Sequence, residues 1–195
     1  MNDKTDSKRD AIIKAAMELI AEHGFHQSPT SLIAEKAEVG SGTLYHYFEN
    51  KDVLIEEIFH TIWEKYLSVT THEKELEKKS ENAPLQEQFI RISKTILTYF
   101  IQNPNEFKFL EQYFNSPYGL DKIRSEGFND NDPTQVILKL AREQQIVKDL
   151  PLDLLSLVSY APIPFLARDH VGGFITLNED MIHSIAVACW DAIKI

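Results

Sequence analysis

The run Ser41-Gly-Thr-Leu-Tyr-His-Tyr-Phe48 admits few structures. Leu44 and Phe48 stand four residues apart and can share one face of a helix. Thr43, Tyr45, His46 and Tyr47 cannot all turn inward beside them on a 3.6-residue period. A helix here must be short, held by one apolar edge, and must carry phenol, imidazole and hydroxyl groups on its open side. Half-burial of the tyrosines in a helical core is the alternative, and four such residues in a row disfavour it.

The flanking residues give this helix its setting. Ala11, Ile12, Ala15, Ala16, Leu19 and Ile20 recur at three-to-four spacing, which predicts an amphipathic first helix that Gly24 ends. Ser28-Pro29 reads as a capping hydroxyl followed by a first-turn proline, opening a second short helix from about Pro29 to Ala37. Glu38-Val-Gly-Ser-Gly42 then offers two glycines for a tight turn, and a third helix starts near Ser41. Two short helices joined by such a turn and braced by a longer one form a helix-turn-helix, which sets its second member in the DNA major groove. The outward groups of the third helix can donate to phosphate oxygens or meet base edges. Lys51 adds a cation, and a helix beginning there would aim free N–H groups at the DNA backbone.

The stretch from Ile33-Ala34 through Val39, Gly42-Thr-Leu-Tyr-His-Tyr-Phe48 and Lys51 resembles the TetR family of bacterial transcriptional regulators over about fifty residues. The resemblance implies an all-α fold of about nine helices, with a DNA-binding domain at residues 1–50 and an effector-binding and dimerisation domain at residues 51–195. It implies DNA contacts by Thr30, Ser31, Ser41, Gly42, Thr43, Tyr45, His46, Tyr47 and Lys51. It further implies a ligand-responsive repressor, a homodimer paired through its last two helices on a palindromic operator. Effector binding would move the fourth helix as a lever and release the DNA. One departure from the family pattern is Glu38, where the turn commonly has glycine; the glycine has moved to Gly40. A non-glycine residue at positive φ costs on the order of 1 kcal/mol, so a shifted turn or a strained one is expected.

Charge separates the two halves from strongly basic DNA binders. Residues 1–51 carry six Lys and Arg against eight Asp and Glu, and the remainder carries 14 against 22, within a chain of net charge −10. Phosphate contacts must then lean on hydroxyls and backbone N–H groups, which predicts a shallow salt dependence. The acidic remainder argues against a second nucleic-acid surface. The N-terminus is polar and no apolar stretch approaches membrane-spanning length, so a cytoplasmic protein without a membrane partner is expected. Cys189 stands alone and reads as a small buried hydrophobe of the last helix.

Beyond Lys51 the pattern is helical throughout. Leu54/Ile55, Ile58/Phe59, Ile62/Trp63 and Tyr66/Leu67 mark the fourth helix, and His72 to Ser80 reads as its solvated end. Leu85, Phe89, Ile92, Ile96, Tyr99 and Phe100 mark the fifth, stopped at Asn103-Pro104. Asn103-Pro104-Asn105-Glu106 and Asp132-Pro133-Thr134-Gln135 read as helix starts, the second after an irregular stretch containing Pro117, Gly119 and Gly127. The eighth helix, Leu150 to Ala167, should kink or break at Pro162 and Pro164. The ninth, Ile175 to Ile193, is expected to start with a Thr176/Glu179 capping box.

An excess of aromatics suggests an effector pocket for an apolar or amphipathic small molecule, with Trp63, Tyr99, Phe107, Tyr113, Phe114, Tyr160, Phe165 and His170 as candidates; for any single aromatic ordinary core packing is the better explanation, and a surface helix end explains His170 equally well. No cofactor, metal or enzymatic activity is expected. Glu57-Ile-Phe-His60 is a single Glu-x-x-His where a di-iron bundle needs two, and Asp130-Asn-Asp132 lacks a calcium loop's glycine and closing glutamate. Phosphate-loop, dinucleotide and nucleophile-elbow motifs are missing. The competing reading is a helical protein-binding adaptor that keeps its helix-turn-helix for packing alone; substitution of Ser41, Thr43 and Tyr45 separates the two.

Overall fold

A computed structural model describes residues 3–76, 83–120 and 132–195, with side chains from residue 7 to residue 71 in the first stretch. The described residues hold ten helices and one isolated antiparallel bridge, Val147 with Lys194. The chain divides into two compact units, Met1–Glu64 with Pro104–Arg124, and Lys65–Asn103 with Ser125–Ile195. Neither unit ends at residue 50, because the start of the fourth helix and the whole of the sixth pack with the N-terminal helices.

In the first unit α1 (Asp3–His23), α2 (Thr30–Lys36) and α3 (Ser41–Tyr47) are followed by the start of α4 (Lys51–Leu76), and α6 (Pro104–Phe114) packs on α1. Ile12, Ala16 and Ile20 from α1, Ile33 from α2, Leu44 from α3 and Leu54, Ile55 and Ile58 from α4 fill its core. Each falls on the periodic stripe of its helix, so burial rather than intrinsic propensity holds α2 and α3, both far shorter than a helix stable alone in water. A second layer is aromatic. Phe59 stacks on Tyr113 with centroids 4.3 Å apart, and Phe25 meets Phe109 edge-on at 6.1 Å.

The second unit is built on α5 (Leu85–Gln102), with α7 (Pro133–Glu143), α9 (Pro162–Val171) and α10 (Glu179–Ile193) against it and α8 (Leu152–Tyr160) packed on α7 and α10. Phe89 is fully buried, its ring 5.3 Å from Trp190 and 4.9 Å from Tyr160. Cys189 is buried on α10 and its burial raises the thiol pKa, as expected of a structural cysteine. Asp132 caps α7, its Oδ1 accepting from Thr134 N at 2.8 Å. The segment expected as one eighth helix is two, α8 and α9, because Pro162 cannot donate into the preceding turn and instead opens a new helix.

Three helix starts differ from expectation. Ser28 is buried and its hydroxyl donates to Gly24 O at 2.8 Å, closing the end of α1; Pro29 itself is the N-cap of α2. The Asn103 side chain donates to Tyr99 O at 2.8 Å and so finishes α5. Asn178, not Thr176, caps α10 by accepting from Met181 N at 2.9 Å. The side chains of residues 72–76, and the stretches 77–82 and 121–131, lie outside the described residues, and with them the expected solvated end from His72 to Ser80, Gly127 and Asp130.

Candidate nucleic-acid interface

The turn between α2 and α3 sets the angle of the third helix. Val39 N donates to Ala34 O at 2.9 Å and Glu38 N to Glu35 O at 3.0 Å, a helix end that needs a left-handed residue between the helix and Val39. That residue is Glu38, at φ 56°. Gly40 is extended at φ −70° and serves as N-cap of α3, while Gly42 lies inside the helix. The two glycines therefore do not supply the turn's unusual conformation, and Glu38 carries the strain that its place in the sequence suggested.

From this start α3 turns one edge inward. Leu44 is fully buried and Phe48, its C-cap, is buried beside it. The opposite side opens outward: Ser41, Gly42, Tyr45 and His46 are exposed, Tyr45 to 52%, with Thr43 and Tyr47 half-buried. On α2, Ser31 is exposed and Thr30 half-buried. Thr30 Oγ1 and the Tyr45 hydroxyl share a hydrogen bond of 2.9 Å, tying α2 to α3 across their outer faces. The His46 and Tyr47 rings meet edge-on at 5.4 Å. One continuous face thus presents hydroxyl, phenol and imidazole groups with fixed neighbours.

The cations around this face are largely occupied. Arg9 pairs with Glu57 and lies over the Phe48 ring at 5.7 Å, and Lys36 reaches Glu18 at 3.1 Å. Lys51, expected to extend toward phosphate, donates its Nζ proton to Phe25 O in the turn after α1, and burial lowers its pKa against the opposing pull of Asp52. The N-terminus of α4 is closed by Asn50, whose Oδ1 accepts from Val53 N at 2.9 Å. Glu57, half of the Glu-x-x-His pair, is committed to Arg9, and His60 is exposed.

Residues 12–58 match the model for bacterial regulatory proteins of the tetR family, and residues 84–194 match that for the tetracyclin repressor-like C-terminal domain. The chain belongs to the TetR family. A helix-turn-helix-type transcriptional regulator of Haemophilus influenzae is 28% identical over 191 residues, covering 98% of this chain and 97% of its own. A TetR-family crystal structure from the same organism covers both chains completely at TM-score 0.79. A TetR-family regulator from Marinobacter aquaeolei shares the fold at TM-score 0.85 and 23% identity, covering 100% of this chain and 99% of its own. The fatty acid metabolism regulator of Bacillus subtilis is 52% identical over 48 residues, a quarter of each chain. The chain is accordingly a helix-turn-helix transcriptional regulator.

The eight aromatic and imidazole candidates for a TetR-family effector site divide between the two units. Trp63, Phe107, Tyr113 and Phe114 lie in the first; Tyr113 and Phe107 are buried, and Tyr113 donates to Glu56 Oε1 at 2.8 Å. Tyr99, Tyr160, Phe165 and His170 lie in the second. Phe165 is 57% exposed with the Arg168 guanidinium 4.6 Å over its ring, so it lines no enclosed site. His170 Nδ1 accepts from Leu177 N at 3.0 Å and fastens the loop before α10. Burial, with the Asp132 carboxylate adding to it, pushes the Tyr66 and Tyr160 phenols well above their usual range. The Ser93 hydroxyl pulls Tyr160 the other way, yet among the described residues the buried Ser93 Oγ and Tyr160 hydroxyl make no hydrogen bond of normal geometry. Tyr99 borders a groove of about 750 Å³ along α5.

Sequence spacing missed one set of contacts. Tyr118 donates to Asp52 Oδ1 at 2.6 Å and its ring lies 5.3 Å from Phe25. Together with Tyr113 and Glu56 this binds the end of α6 and the residues after it to the first two turns of α4. The partners stand 57 and 66 residues apart, a separation that leaves no periodic trace.

Proposed function

We propose that the chain is a ligand-responsive repressor, binding a palindromic operator as a homodimer and leaving it when a small effector occupies the helical domain. The observation that carries this is α3, sealed along Leu44 and Phe48 and open along Tyr45 and His46. A packing-only helix-turn-helix has no use for a polar, aromatic face held by a Thr30–Tyr45 hydrogen bond at its surface. Thr30, Ser31, Ser41, Gly42, Thr43, Tyr45, His46 and Tyr47 make the DNA contacts in this account. Lys51 positions the start of α4 through Phe25 O and offers its remaining N–H groups to phosphate.

Pairing through the last helices is supported by an apolar stripe on α8 and α9. Leu154, Leu157, Val158 and Phe165 are all exposed at helical spacing, with Met181 exposed on α10. A two-fold pair of such faces matches an operator whose half-sites lie about one DNA turn apart. The lever is α4, which begins three residues after Phe48 and receives the phenols of Tyr113 and Tyr118.

Selection of bound sequences from a random duplex library tests the proposal. An enriched palindrome bound by two chains is expected. Enrichment of a single half-site bound by one chain, or no enrichment at low salt, would overturn it.

A further inference from the structure

The hydrogen bond between Thr30 and Tyr45 lies where it adds little to the fold. Thr30 is half-buried at the start of α2 and Tyr45 is exposed on α3, so water competes for both hydroxyls and the net gain in stability is small. The bond is formed nevertheless, at 2.9 Å, and among the described residues neither hydroxyl has another side-chain hydrogen bond. Each hydroxyl carries one proton and can accept as well as donate. Whichever of the two donates, the bond consumes one proton and leaves the other free, so the pair as a whole has a single O–H to give. The hydroxyl that accepts within the pair is polarised by doing so and becomes a stronger donor than one standing alone.

The surface beside the pair is open. Gly42 precedes Tyr45 by three residues and shares its side of α3; it is exposed, and a Cβ added there would meet no atom within 4 Å. The chain's own packing therefore does not require a glycine at this helical position, where glycine costs helix stability. The Arg9 and Lys36 cations are engaged within the chain, by Glu57 and Glu18, so contacts at this face lean on neutral donors. We propose that Thr30 and Tyr45 bind one backbone phosphate oxygen of the operator as a coupled pair, not as two separate contacts, with Gly42 leaving room for the phosphate to approach. A phosphate oxygen only accepts, which matches a pair with one proton to give. Thr30 is the positioning residue: its hydroxyl donates to the Tyr45 oxygen, and the more acidic phenolic proton goes to the phosphate. The phenol is thus held before the DNA arrives, and little side-chain freedom is lost on binding. The proposal rests on the reading of α3 as the DNA face.

A double-mutant cycle on the full chain tests the pair, with operator affinity read by anisotropy and folding by thermal melts for wild type, Thr30→Val, Tyr45→Phe and the double variant. Each single change should weaken binding about fivefold. The double variant should lie within about twofold of the weaker single, because the same contact is lost in all three; two independent contacts would multiply to about 25-fold. Thr30→Ser keeps the hydroxyl and should bind within about twofold of wild type. Gly42→Ala should melt no lower than wild type yet bind about fivefold or more weakly. Each loss should be the same on operators carrying one changed base pair, since a phosphate contact is blind to sequence. Multiplying losses, wild-type affinity in either single variant or in Gly42→Ala, weak binding by Thr30→Ser, or a loss that vanishes with one base-pair change would overturn the proposal. Any of these in a chain that still selects a DNA sequence leaves the repressor reading standing; a wild type that selects none removes both.

Discussion

The outer face of α3 and the outer face of α8 are both left uncovered by the chain's own packing, yet they are opposites in chemistry. On α3 the uncovered groups are Ser41, Tyr45 and His46, with Leu44 turned fully inward. On α8 they are Leu154, Leu157 and Val158, with Leu155 turned fully inward. An exposed face rich in hydrogen-bonding groups can exchange water for phosphate and base edges at little cost. An apolar one gains only by meeting another apolar surface. In the proposed function the same device, a short helix with one sealed edge, serves as the nucleic-acid face in α3 and as the subunit face in α8.

The largest expected effect breaks the sealed edge. Leu44→Ala removes a fully buried side chain from a seven-residue helix and should lower stability by about 2–5 kcal/mol in chemical denaturation, taking DNA binding with it. A loss below about 0.5 kcal/mol would mean that α3 is not held by its core edge.

The subunit face is next. Leu157→Asp places a charge in the stripe and should yield a folded monomer by analytical ultracentrifugation, against the dimer expected of the wild type. A variant that remains dimeric would move the interface off α8.

A smaller effect sharpens the account of the turn. Glu38→Gly relieves a left-handed backbone and should raise stability by about 0.5–1 kcal/mol with no shift in operator affinity beyond twofold or so. Destabilisation would indicate that the Glu38 side chain contributes more than its φ costs.

The smallest concerns Tyr118. Its pKa is pushed up to about 12, first by burial and then by the hydrogen bond to Asp52, so the folded state favours the neutral phenol. That contribution is complete below pH about 10, where an unfolded tyrosine titrates, and is lost as pH rises toward about 12. Tyr118→Phe should therefore flatten the stability curve across that interval, as measured by urea denaturation at stepped pH. An unchanged alkaline slope would rule Tyr118 out as its source.

The division of α3 was legible before any coordinates because a helical period alone decides it: Leu44 and Phe48 must share an edge that Tyr45 and His46 cannot reach. The break at Pro162 and the cap at Asp132 were legible for the same kind of reason, a local rule with no competitor. Ser28 was not, since its hydroxyl could cap α2 or close α1, and the choice depends on where Gly24 O lies. Thr176 and Asn178 posed a similar choice, settled by where α10 begins. The turn was half legible: Glu38 stood out as the departure, but the glycines suggested a relief that they do not provide. The effector candidates were least legible, because aromatic residues build cores and pockets alike. Their partition between two units, with Phe165 under Arg168 and His170 fastened to Leu177, comes from tertiary contacts that composition cannot encode. The groove along α5 was not legible, because only the facing helices make it.

The most direct measurement is an anisotropy titration of the selected operator with wild type and Tyr45→Ala, accompanied by thermal melts of both proteins. Tyr45 is exposed and its one described hydrogen bond is to Thr30 on the same outer face, so its truncation should leave stability within about 0.5 kcal/mol. Operator affinity should fall by about tenfold or more. Unchanged affinity in a stably folded Tyr45→Ala protein would contradict the assignment of the α3 face to DNA.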